Sequence, residues 1–152
     1  MRRIALTILK KVAKQGEVSL GAAIRMAKPR YKSHLDQYPL ALLLEEGYLG
    51  MTMNHIPPSG AEGMREFSLA TTLHLFTVPK NAAGESHYLG IISSGGLNPD
   101  NEHVFLKVKG ALYLDEHAQR FWDRLWTFIL GFSGGLLLAL AVPSIKGVMK
   151  LH

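Results

Sequence analysis

Residues 40–53 read LALLLEEGYLGMTM, and the apolar period changes in the middle of them. Leu40, Leu43 and Leu44, followed by Tyr48, recur at helical spacing and predict a helix with one buried face. Gly47 closes it in the place of a C-terminal glycine. From Tyr48 the pattern turns extended, with Met51 and Met53 opening a strand. A helix that hands over to a strand within one turn predicts a mixed α+β domain.

Toward the N-terminus the pattern is helical twice more. Ile4, Ile8 and Val12, widened by Ala5 and Leu9, predict a helix over 3–15, with Lys10, Lys11 and Lys14 outside the stripe and Gly16 ending it. Glu17 to Ser19 reads as a short extended piece. Ser19 can cap a second helix carrying Leu20, Ala23, Ile24 and Ala27, which Pro29 stops. The helix of residues 40–47 starts from Ser33 or Asp36 as cap, with Pro39 in its first turn.

Downstream, HIPPSGAEG (55–63) reads as a Pro- and Gly-rich loop. Phe67–Val78 reads as a long strand from its β-branched and aromatic content, and PKNAAGES as a second loop. His87–Ile92 and His103–Val108 read as two further strands. Gly110 ends the sheet region and Ala111 opens a last helix.

Helix, short strand, two helices and a β-hairpin is the order of elements in the winged helix-turn-helix family, which this chain resembles over residues 3–118. LALLLEEGYLGMTM is similar to the family's recognition-helix end, where a Leu-Leu pair precedes Gly-Tyr leading into the wing. HVFLKVKGALYLDEHA (103–118) resembles its closing segment, a strand followed by a Gly and a Tyr-Leu pair on the last helix. The two motifs lie about 50 residues apart, more than one wing hairpin needs, so an extra hairpin at roughly 70–97 or an enlarged antiparallel sheet is expected between them. The layout also resembles small phage and prophage proteins that join a winged helix to a membrane tail.

The resemblance implies DNA binding, but the residues argue against it. A recognition helix presents polar and basic side chains to bases and phosphates. Here the expected outward positions are Gln37, Ala41, Glu45 and Glu46, and the wing segment HIPPSGAEGMRE holds one Arg against two Glu. Only Arg30, Lys32 and His34 suit phosphate contact. The same fold also serves protein interaction.

The net charge of +5 is unevenly distributed. Residues 1–32 carry nine basic side chains, among them Arg2, Arg3, Lys10, Lys11, Lys14, Arg30 and Lys32, against Glu17 alone. Residues 33–119 balance at −6. A basic N-terminal end points to an anionic partner, either nucleic acid or anionic lipid. The alternative is a solvated face that only aids solubility.

The C-terminal part supplies the second half of the architecture. The 21 residues from Leu125 to Ile145, LWTFILGFSGGLLLALAVPSI, contain no charged side chain. As a helix they span roughly 30 Å, a bilayer's hydrocarbon core. Trp122 and Trp126 stand four apart where aromatic rings favour the headgroup layer, and Lys146 and Lys150 follow the far end. A buried core helix is the competing reading, but the preceding chain is short for wrapping one. Lys107, Lys109, Arg120 and Arg124 precede the run, which by the positive-inside rule places the N-terminal domain in the cytoplasm of a cell (inner or plasma) membrane protein. Gly131, Gly134 and Gly135 include a GxxxG pair that would let two such helices form a homodimer. The expected division is 1–119, a winged-helix-like soluble domain, and 120–152, a single transmembrane helix with a short tail.

No constellation points to a reaction. The seven histidines show no spacing that sets two imidazoles on one helix face, and the chain has no cysteine. Ser93-Ser94-Gly95-Gly96 lacks the lysine and strand-to-helix setting of a phosphate loop. No catalytic residue, metal or cofactor is expected. The expected function is a membrane-tethered interaction, sensor or adaptor module that binds a protein, anionic lipid or nucleic acid. The alternative is a small phage- or toxin-like effector whose tail helices oligomerise and perturb the bilayer.

Overall fold

The structure is a computed structural model that describes residues 3–55, 62–93 and 97–149, with side chains through residue 130 in the last stretch. Two compact units divide it, Met1–Leu112 and Tyr113–His152.

In the first unit α1 (Arg3–Gln15) buries Ala5, Ile8, Leu9 and Val12, the stripe its spacing predicts except for Ile4, which lies exposed in the first turn. Gly16 then takes a φ of 81°, the left-handed conformation that ends a helix at low cost. β1 (Glu17–Ser19) follows. The Ser19 hydroxyl accepts a hydrogen bond from the Ala22 N–H at 3.2 Å and so starts α2 (Leu20–Met26). A 3-10 turn over His34–Asp36, capped by Ser33, leads into α3 (Tyr38–Glu45) with Pro39 in its first turn. Gly47, at φ 74°, turns the chain into β2 (Leu49–Met51).

A long insert over residues 52–102 separates β2 from its pairing partner. The insert holds α4 (Arg65–Leu75), introduced by a 3-10 turn, and a hairpin of β3 (Ser86–Tyr88) and β4 (Ile91–Ser93). β5 (His103–Leu106) returns to the centre of a three-stranded antiparallel sheet of order β1-β5-β2, pairing Val18 with Val104 and Gly50 with Phe105. Ile8, Leu9, Val12, Leu20, Leu40, Leu43, Leu49 and Val104 make the core between sheet and helices. α5 runs over Val108–Met149.

The architecture is therefore α+β, with a smaller sheet than expected. Phe67–Val78 is not a strand. Its β-branched residues suggested an extended chain, but Leu69 and Leu73 are buried at helical spacing in α4. Thr72 returns its hydroxyl proton to the Ser68 carbonyl one turn back at 3.0 Å. The extra hairpin exists as a separate two-stranded sheet and does not enlarge the main one. The single strand expected over His87–Ile92 is broken by a turn at Leu89-Gly90. Gly110 lies inside α5 and does not mark the end of the sheet. A Cβ there would strike the Tyr48 carbonyl oxygen, so glycine is what lets α5 start close against the β2 end.

Among the described residues no helix is long and apolar enough to cross a membrane. Most of the apolar run, from residue 131 onward, belongs to the part of α5 whose side chains lie outside the description.

Candidate functional site

The polar residues of the first unit converge where α2 ends, α3 begins and α4 ends. Asp36 organises this corner. Its Oδ1 accepts from the backbone N–H groups of Arg30 and Tyr31 at 2.9 and 3.0 Å. Its Oδ2 accepts from Tyr31 and Lys32 at 3.1 and 2.8 Å. Burial by itself would raise the Asp36 carboxyl. The N–H groups of Tyr31, Arg30, Lys32 and Ser33 together outweigh it and hold the pKa below the ordinary carboxylate value. The bonds also fix the loop after α2, including Lys32 at φ 52°, a conformation few non-glycine residues adopt.

Next to Asp36, an aromatic and imidazole cluster ties the insert to the helices. The Tyr88 oxygen accepts the His34 backbone N–H at 3.3 Å and lies 2.9 Å from His34 Nδ1, to which its own proton can go. The His74 ring meets Tyr88 edge-on at 4.4 Å between centroids, and Phe67 meets His34 at 5.1 Å. Thr77 donates its only hydroxyl proton to the His74 carbonyl at 2.7 Å, so its 3.2 Å contact with His74 Nδ1 makes that nitrogen the donor. His74 is thereby set as the tautomer with its lone pair on Nε2. Burial pushes its pKa down, His34 adds to the effect and Asp36 opposes it.

A cavity of about 510 Å³ opens at this corner, with Asp36, Gln37, His74 and Val78 among its walls and Arg25 and Lys32 beside them. Gln37 is only 3% exposed, and its Oε1 has no hydrogen-bond partner among the described residues. Ile24, Ala27, Pro29, Val78 and Pro79 make the apolar part of its walls. Among the described residues no group of His, Asp or Glu gathers to hold a metal ion.

α3 presents a different surface from the expected one. Gln37 and Ala41 are buried, and the helix turns Leu42 and Glu46 outward, with Tyr38 and Glu45 half-buried. The difference comes from α4, which packs directly against α3. Its first residue, Arg65, pairs with Glu45 at 3.1 Å. Five of the eight α3 residues are buried, and none of the outward ones is a cation.

The basic residues separate into two groups. Arg3, Lys10, Lys11 and Lys14 are exposed on α1, while Arg2 lies outside the described residues. Arg30 and Lys32 are exposed in the loop around Asp36, with the Arg30 guanidinium 5.4 Å from the Tyr31 ring centre. The backbone amides that a phosphate would seek in that loop already serve the Asp36 carboxylate. His34, the third residue suited to phosphate, is engaged by Tyr88. In the second unit Trp122 and Trp126 are exposed, and Gly131, Gly134 and Gly135 lie outside the described side chains.

No protein-family model matches the chain, and neither does any curated protein or solved structure. Asp36, Gln37, His74 and Tyr88 were not legible as a site. They come from three separate stretches, and the one local signal was a carboxylate just after a basic loop, which reads equally as a helix cap.

Proposed function

We propose that this chain is a membrane-tethered interaction module: a winged-helix-type frame in its first unit, carried on a C-terminal transmembrane helix over residues 125–145. Three helices and a sheet of order β1-β5-β2, with β2 and β5 as the arms of an interrupted wing hairpin, support the frame. The uncharged run and its flanking tryptophans support the tether.

The observation that carries the reading is the packing of α4 on α3. In a DNA-reading winged helix the third helix needs a free polar face for base edges. Here α4 occupies much of the helix surface, and the strip left free holds Leu42 and Glu46. The module's charged surface is instead α1, with Lys10, Lys11 and Lys14 exposed on one element. Such a face suits the anionic lipid beside a membrane anchor, where each cation near the surface contributes about 1 kcal/mol.

The full chain reconstituted into neutral and anionic phospholipid vesicles tests this. Hydrogen exchange of α1 should slow in anionic vesicles only, and titration with DNA duplexes at low salt should show no sequence preference. A chain that fails to stay with vesicles after alkaline extraction, or one that selects a DNA sequence, overturns the proposal.

A further inference from the structure

The β3–β4 hairpin breaks a local rule at its most exposed point. Tyr88 pairs with Ile91, so the connection is the two residues Leu89 and Gly90, both at positive φ (49° and 76°). That is the type I′ arrangement, which favours Asn, Asp or Gly at its first central position because their backbones tolerate the left-handed region. Leucine is disfavoured there, and its side chain is 61% exposed, so burial within the fold does not explain it.

The neighbours share its character. Ile92 is 59% exposed, and Ile91 and Leu97 are also exposed. From Ser86 to Pro99 the sequence, SHYLGIISSGGLNP, contains no Asp, Glu, Lys or Arg. An aliphatic tip without formal charge meets no ionic desolvation cost on entering a low-dielectric layer. Its composition is unlike a protein-binding hot spot, where Trp, Tyr and Arg dominate and Leu is scarce. A strained apolar residue kept at an exposed turn is the mark of a contact made outside the fold.

We infer that the Leu89–Ile92 hairpin tip is a membrane-inserting wedge that enters the interfacial region of a phospholipid bilayer. This rests on the proposed membrane tether. The tip inserts its three aliphatic side chains about 5–10 Å into the boundary between headgroups and acyl chains, the depth reached by apolar faces at such interfaces. It gives the first unit a lipid contact of its own, independent of charge.

The chain has no cysteine, so single labels can be placed cleanly. A solvatochromic dye is attached to the full chain in phosphatidylcholine vesicles through Ile92→Cys, through Ala82→Cys in the exposed loop before β3, or through Phe128→Cys within the uncharged run. The dye at 92 should shift to the blue and be quenched by lipid-borne quenchers, and the dye at 82 should do neither. Adding Leu89→Asn should lower the ratio of inserted to withdrawn hairpin about tenfold, as expected for partial burial of one leucine. It should not lower the thermal midpoint, because Asn suits the turn. Lipid quenching at 128 without quenching at 92 overturns the wedge and leaves the tether standing. Absence of quenching at both positions overturns the two together. A dye at 92 shielded from soluble quencher but untouched by lipid-borne quencher assigns the tip to a second copy of the chain and overturns the lipid assignment.

Discussion

Replacing Asp36 by Asn keeps the side-chain shape and removes the charge. In the native corner, Oδ1 serves the amides of Arg30 and Tyr31, and Oδ2 serves those of Tyr31 and Lys32. An Asn oxygen in the Oδ1 place still accepts from Arg30 and Tyr31, but as neutral bonds, each weaker by about 1 kcal/mol than a bond to a carboxylate. The Asn NH2 in the Oδ2 place confronts the Lys32 N–H donor to donor and orphans it, at a further ~1–2 kcal/mol. The total is about 3–4 kcal/mol, a large fraction of a domain's stability. Urea unfolding of the full chain in detergent micelles, followed by near-ultraviolet circular dichroism, measures it. The sign of the pH dependence gives a second readout. The folded carboxyl lies below its ordinary value, so its stabilisation is complete above roughly pH 4 and is lost as pH falls through the folded pKa. The Asn variant should lack that part of the acid loss. A variant within about 0.5 kcal/mol of the parent, or one with an unchanged acid limb, refutes the claim that Asp36 holds the corner.

Gly110→Ala should destabilise the first unit by about 1–3 kcal/mol, because its Cβ meets the Tyr48 carbonyl oxygen and the Leu106 side chain; a urea midpoint at the parental value would refute the close approach. Leu73→Ala in α4, at a fully buried position, should cost about 2–5 kcal/mol and speed hydrogen exchange across α4; a cost below 1 kcal/mol on the same scale would mean that α4 is peripheral to the fold. Burial lowers the His74 pKa from its ordinary 6.5, so the unfolded chain binds the proton more readily and stability falls as pH drops below that value toward the folded pKa. His74→Gln should reduce the loss of urea midpoint between pH 7.5 and 5, with His55, also lowered by burial, keeping a residual slope; an undiminished loss would clear His74 of the effect. Replacing Lys10, Lys11 and Lys14 together by Gln should leave the melting curve within about 0.5 kcal/mol of the parent and abolish the slowing of α1 exchange on anionic vesicles; unchanged exchange protection would assign these lysines to solubility alone.

The outer frame of the first unit was written locally. α1 with Gly16, Ser19 as the cap of α2, Pro39 in the first turn of α3 and the switch at Gly47 each follow from spacing and turn chemistry within a few residues. Such signals depend on neighbours along the chain and need no tertiary partner. The candidate site was largely hidden because its parts come from α2, the loop before α3, α4 and the hairpin, and become neighbours only on folding.

The insert shows where sequence alone stops deciding. FSLATTLHLF contains a β-branched pair and aromatic ends that fit a strand, and also Leu69 and Leu73 one helical turn apart. Short apolar segments support both periods, and only the surface waiting for them selects one. α3 offers an apolar helix face, against which a second helix buries Leu69, Ala70 and Leu73. The same contact settles which way α3 faces, burying Gln37 and Ala41 and leaving Leu42 outside. The sequence by itself determined the elements with local caps, the basic end of the chain and the uncharged run near its C-terminus. Tertiary packing decided the fate of the insert, the phase of α3 and the corner built on Asp36, because each depends on burying surface that residues far apart in sequence supply.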